Sequence, residues 1–182
     1  GEQAIVTSIA VTPAGVFVAD AGNRMVLRFD AGGMLGGRVG ADYQIPSPYF
    51  DLASAPDGTL WVADPGRQTL RHFTTEGRLL ASWGRASLDI DAFGGCCNPA
   101  HLAVLPCGRL VTSEKGLLRV KVFDPDGTLR CVAALPRDFP PAQPSLDLAM
   151  SLDDEARRAW MVHGERRLNL ASSLKNRVEE RK

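Results

Sequence analysis

Two adjacent cysteines, Cys96 and Cys97, carry the most unusual chemistry in this sequence. Consecutive Cα atoms lie about 3.8 Å apart, short of the roughly 4.4–6.8 Å that a disulfide normally spans. A bond between the two would be strained and comparatively easy to reduce. The pair therefore reads in three ways: a vicinal disulfide that shapes its loop, two thiols open to a soft metal, or two free cysteines that fill space. A dedicated zinc knuckle is disfavoured, because zinc sites usually separate their cysteines by about two to four residues. Cys107 stands where a Pro-Asp-Gly turn would carry Asp, and Cys131 falls in an apolar outer strand; both read as incidental or as packing.

The other chemically able residues are histidines and acids. Neutral imidazole is a good zinc or copper ligand, so His101 and His163 could contribute to a metal site. Asp51 and Asp147, with His101, could furnish the inward ligand shell of a divalent metal. The plainer reading of either histidine is a hydrogen-bonded structural residue, and His72, within a strand, reads as a surface residue. Asp20 and Asp64 precede Gly-containing turns, where Asp side chains commonly cap backbone amides. Glu114-Lys115 breaks that Asp-x-Gly pattern, which marks it either as a functional pair or as a simple surface ion pair. No glycine-rich phosphate loop followed by Lys-Ser/Thr and no Gly-x-Ser-x-Gly elbow occurs, so nucleotide hydrolysis and serine-hydrolase chemistry have no support.

What positions these residues is a repeat. Three ten-residue segments align without gaps, Asp20–Phe29, Asp64–Phe73 and Glu114–Phe123. Each has an acid first, Gly two positions on, an apolar residue six positions on and Phe last. Upstream of each lie Ile9-Ala10-Val11, Leu52-Ala53 and Leu102-Ala103-Val104, then a turn at Gly15, Gly58 or Gly108 and an apolar strand. Downstream a second turn at Gly33, Gly77 or Gly127 leads to Leu35, Leu79 or Leu129. Each unit reads as four short strands joined by tight turns at a period of about 45 residues, the pattern of antiparallel propeller blades. Residues 1–150 show no apolar period of 3.6, so helices are not expected there. The expected fold is all-β, a β-propeller with about four four-stranded blades near 5–40, 47–84, 97–135 and 144–171, and a tail at 172–182. The fourth blade is degraded: Asp153-Asp154-Glu155 replaces a glycine turn and His163 replaces the acid.

Composition bounds the partners. The 182 residues are 45% hydrophobic and 23% charged, with 21 basic residues against 21 acidic ones. Nucleic-acid binding usually leaves a basic excess, which is absent, so no nucleic acid is expected. No apolar run approaches the ~20 residues that cross a bilayer, so no membrane span is expected. No signal peptide is visible at the N-terminus, yet a start at Gly1 suits a processed or excised chain, compatible with a secreted or periplasmic full-length form. Four cysteines leave the redox compartment open.

The combination Leu-Ala, turn Gly, Trp61-Val62-Ala63-Asp64, x-Gly, alternating apolar residues and Phe resembles the NHL-repeat family. The segment Phe93-Gly-Gly-Cys96-Cys97-Asn98-Pro99 with Thr112-Ser113-Glu114-Lys115-Gly116 is similar to a bacterial subset of that family. The resemblance covers residues 5–135 well and 145–171 poorly. It implies a propeller, often six-bladed, related to TolB-like and gluconolactonase-like propellers, with each blade running from its innermost strand outward. Loops between second and third strands then share one face with the loops between blades. That face would carry Asp51, Cys96, Cys97, Asn98, His101, Glu114, Lys115, Asp147 and His163. Six blades need more chain than this, so a piece of a longer propeller is favoured over a four-bladed ring or an arc completed by another subunit. Open blade edges would favour self-association. The favoured function is a non-catalytic scaffold that binds a protein or small ligand through the loop-rich face. The alternatives are a metal-dependent lactonase- or lyase-like enzyme, and a redox or metal-handling protein centred on Cys96-Cys97.

Overall fold

A computed structural model describes residues 3–138, 149–153, 158–163 and 166–169 of the chain. Three consecutive units form separate four-stranded antiparallel sheets in simple meander order. Blade 1 comprises β1 (Val6–Thr12), β2 (Gly15–Asp20), β3 (Met25–Phe29) and β4 (Leu35–Val39). Blade 2 comprises β5 (Leu52–Ser54), β6 (Leu60–Asp64), β7 (Thr69–Phe73) and β8 (Leu79–Trp83). Blade 3 comprises β9 (His101–Val104), β10 (Leu110–Ser113), β11 (Val120–Phe123) and β12 (Leu129–Ala134). A single 3₁₀ turn, Pro136–Asp138, follows, and the described residues contain no α-helix.

Only part of the fourth unit falls within the described residues. Among the described residues it is three-stranded: β13 (Ala149–Asp153), β14 (Arg158–His163) and β15 (Arg166–Asn169). In blades 1 to 3 a second glycine turn lets the third and fourth strands fold back on each other. Those turns use glycines in the left-handed region, such as Gly77 at φ 90° and Gly127 at φ 90°.

Register explains why apolar cores form between blades 1 and 2 and between blades 2 and 3. Side chains alternate across each sheet, so one face of a blade collects one set of residues and the other face the next. Phe17, Ala19 and Val26 of blade 1 pack on Leu52, Leu60, Val62 and Phe73 of blade 2. Trp61, Ala63 and Leu70 of blade 2 pack in turn on Leu102, Val104, Leu110 and Phe123 of blade 3. The innermost strands β1, β5 and β9 lie side by side, placing their first residues at one end of a shared inner surface.

Candidate functional site

The recurring acid at the end of each second strand has the same task in all three blades. Asp20 Oδ1 accepts a hydrogen bond from Ile5 N at 3.0 Å, Asp64 Oδ1 from Gln44 N at 2.9 Å, and Glu114 Oε2 from Gly94 N at 3.1 Å. Each acid thus ties down the segment that enters its own blade. Burial pushes the Asp20 carboxyl up, but hydrogen bonds from Asn23 and from the Ile5 amide outweigh it and hold it below the ordinary carboxylate range. The amide-capping role expected of Asp20 and Asp64 is what the geometry shows.

Glu114 corrects the expectation of a surface pair with Lys115. Its side chain is buried and ion-paired with Arg119 Nη2 at 2.6 Å and with Lys121 Nζ at 2.5 Å. The extra methylene of Glu lets the carboxylate serve the capping role while reaching Lys121 of the next strand and Arg119 just before it. Lys121 is fully buried, donates to Ala92 O and lies against the rings of Phe93 and Phe123. Burial pushes its ammonium down, and Glu114 beside it offsets part of that shift. Glu114 is therefore a core group of blade 3, not part of an accessible face.

Lys115 goes the other way. Its ammonium sits 4.2 Å above the Tyr49 ring and bonds Ser47 Oγ at 3.3 Å, reaching across to the loop that enters blade 2. Asn98, buried completely, holds its backbone from both sides: Lys115 N donates to Asn98 Oδ1 at 2.9 Å, and Asn98 Nδ2 donates to Lys115 O at 3.1 Å and to Gly94 O at 2.5 Å. Asn98 precedes a cis Pro99. Cys96 is exposed and Cys97 buried, and neither is in a disulfide. Cys97 occupies the left-handed region at φ 62°. Sequence reasoning placed Asn98 on a binding face; the structure makes it the clamp of the loop.

The inner-strand starts form the remaining cluster. Ser8 Oγ bonds the backbone of Leu52, and Asp51 Oδ2 accepts from Leu102 N at 2.8 Å, so each latches its blade to the inner strand of the next. Asp51 Oδ1 accepts from Leu52 N at 2.9 Å. His101 is the third member of the series. Its Nδ1 lies 3.6 Å from Asp51 Oδ2, beyond hydrogen-bond length, and its ring meets Tyr49 edge-on at 6.1 Å. Among the described residues, buried His101 Nε2 and Ser113 Oγ have no hydrogen-bond partner. These two residues are cross-strand partners, so their side chains share one sheet face.

Asp51, His101 and Ser113 all line a cavity of about 450 Å³ that runs along the inner strands of the three blades. Ser113 was missed in the sequence, although a signal existed: Thr112-Ser113 replaces the Val18-Ala19 and Val62-Ala63 of the other blades. Asp147 lies outside the described residues. His163 ends β14, and its side chain also lies outside the description. Among the described residues no three His, Cys, Asp or Glu side chains converge as a metal site requires. Asp51 and His101 supply two donors, and both Asp51 oxygens already accept backbone amides, so the described residues do not fit a metal centre.

No family model matches the chain, and no curated protein matches it. Several solved structures do. A chain of a nidogen/laminin complex superposes with a TM-score of 0.67 at 18% identity, over 93% of this chain and 62% of that one. Virginiamycin B lyase from Staphylococcus aureus gives 0.58 at 17% identity, over 90% of this chain and 50% of the lyase. A gluconolactonase from Xanthomonas campestris gives 0.58 at 22% identity, over 87% of this chain and 54% of that enzyme. The chain therefore spans between 50% and 62% of the length of these proteins. Identities this low establish architecture, and they support propeller relatives in general without singling out the NHL family. With three meandering four-stranded blades packed face to face around shared inner strands, this chain is an all-β protein of the β-propeller fold.

Proposed function

We propose that this chain is an NHL-type propeller segment that binds a small polar ligand at the inner-strand cavity beside His101, without transforming it. One observation carries the reading. A cavity of about 450 Å³, within the usual range of ligand sites, is lined by His101 and Ser113, whose buried polar atoms are unpaired among the described residues. Buried polar groups are normally satisfied, and leaving one unpaired costs about 1–3 kcal/mol. A ligand with hydroxyl or carbonyl groups would remove that penalty. Tyr49 and Lys115, at the same end of the blades, supply an aromatic edge and a cation for the approaching molecule.

A test is ligand-observed NMR with a panel of small hydroxy acids and lactones. Wild-type protein should bind members of the panel in the millimolar range or better, and His101→Phe, which fills the cavity with an apolar ring, should lose that binding. Equal binding by the variant, or none by either protein, would sink the reading.

A second reading rests on the His101–Asp51 pair. The carboxylate 3.6 Å from Nδ1 is placed to orient the ring, the arrangement a general base uses. Lyase and gluconolactonase activities named for two structural neighbours make acid–base chemistry on lactones or lactone-like esters the reaction class to assay. Fold alone licenses no activity. Turnover of a panel lactone that is lost in both His101→Ala and Asp51→Asn would replace the binding reading with this one.

A further inference from the structure

Lys115 holds a position where the scaffold asks for no charge. It follows the capping acid of blade 3, and the same place in blades 1 and 2 is taken by Ala21 and Pro65. Those blades cap their entry segments with a small apolar residue there. Ser113, on the other side of the acid, is a second departure of the same kind, since blades 1 and 2 have Ala19 and Ala63. Both departures add a polar group at one end of the inner strands of a single blade.

Ser113 is 3% exposed, lines the inner-strand cavity, and its hydroxyl has no hydrogen-bond partner among the described residues. Lys115 is half-buried, with its backbone clamped by Asn98 at both N and O. Its ammonium lies 4.2 Å above the Tyr49 ring and donates to Ser47 Oγ at 3.3 Å. An ammonium has three donors, so one ring face and one hydroxyl leave a donor over. No carboxylate among the described residues pairs with it. Asp51, the acid that lines the cavity, gives its two oxygens to the amides of Leu52 and Leu102.

Tyr49 connects this cation to the cavity. The ring beneath the ammonium meets the His101 ring edge-on at 6.1 Å, and His101 lines the cavity beside Ser113, its cross-strand partner. The two ring distances end to end bound the gap between ammonium and imidazole, so the cation stands within one small molecule's length of the unpaired groups. We infer, resting on the ligand reading of this cavity, that its ligand carries a carboxylate, which Lys115 binds while hydroxyl groups meet His101 and Ser113. A charge-assisted hydrogen bond is about twice as strong as a neutral one. A cation already seated on an aromatic face loses little freedom in making it. Lys115 is thus a specificity-determining residue that separates an acid from its neutral counterpart of the same shape. The site would hold open-chain hydroxy acids in preference to the lactones they close to.

Ligand-observed NMR on the whole chain tests this with matched pairs: glycolate, lactate and gluconate, each beside its primary amide. In at least one pair the acid should bind about tenfold more tightly than the amide, and added salt should erode that advantage. Lys115→Met, which keeps an unbranched stem, should abolish the advantage, and Lys115→Arg should keep it. Thermal melts would report whether Lys115→Met is folded, and the salt dependence of the wild type decides the matter if it is not. Acid and amide bound equally well, with both lost in His101→Phe, would overturn the inference and leave the cavity reading in place. Binding of no member at all removes both. A Lys115→Met protein that melts well below wild type yet keeps the acid preference would mean that a carboxylate of the chain itself holds the lysine, and that outcome also overturns the inference.

Discussion

His72 shows how one side chain acquires a pH dependence without being a ligand. Its ring stacks on Trp61 at 4.3 Å, and its Nε2 lies 2.6 Å from Thr59 Oγ1, which is itself 2.5 Å from Asp57 Oδ1. One hydroxyl proton can serve only one of these partners. An ionised Asp57 accepts but cannot donate, so Thr59 donates to Asp57 and accepts from a neutral His72 carrying its proton on Nε2. Burial pushes the imidazole below its usual 6.5, and Asp57 opposes that shift only in part. The unfolded chain therefore takes up a proton that the fold resists. The stability from this group is complete above 6.5 and drains as pH falls below that value toward the folded one. In thermal melts against pH, His72→Phe should flatten the acid limb just below 6.5 while leaving the melting temperature near neutrality within a few degrees. An unchanged acid limb would exclude His72 as its source.

At the scale of elements, the loop between blades 2 and 3 is held by a buried charge cluster. Lys121 reaches Ala92 O, Arg119 reaches the carbonyls of Leu88 and Asp89, and both pair with Glu114. A buried pair is weak support for stability as a whole, but breaking it strands a charge. Lys121→Met should therefore cost about 3 kcal/mol in urea denaturation, since Glu114 and the Ala92 carbonyl lose a partner together. The double variant with Glu114→Gln should recover part of that loss, because no full negative charge is then left beside the gap. A single variant as stable as wild type would mean that the cluster contributes little.

At the scale of the whole molecule, stability is distributed over blade-to-blade interfaces, each a nearest-neighbour contact. Phe17 is the largest side chain that blade 1 gives to its interface with blade 2, and it is fully buried. Phe17→Ala should destabilise the chain by about 3–5 kcal/mol, through lost transfer energy and the cavity left behind. Hydrogen exchange should show the loss concentrated in β1 to β5 if the blades behave as semi-independent units, and spread evenly if they do not.

Three equal ten-residue segments were enough to place the acid, the glycine turns and the Phe of each blade, because a short strand with a tight turn is specified locally. Sequence by itself therefore determined the all-β class, the four-stranded antiparallel blades and the inner-strand position of Ser8, Asp51 and His101. It also showed the fourth unit to depart from the repeat, and among the described residues that unit has three strands. Tertiary structure decided what the acids are for. Glu114 looked exceptional beside Lys115, yet its partners Gly94, Arg119 and Lys121 lie 20, 5 and 7 positions away and meet it only once the strands pair and the incoming loop folds over them. Ser113 likewise became a candidate only through its register with His101. A repeat encodes what each blade does alone; which polar atoms end without a partner depends on the packing of one blade against the next.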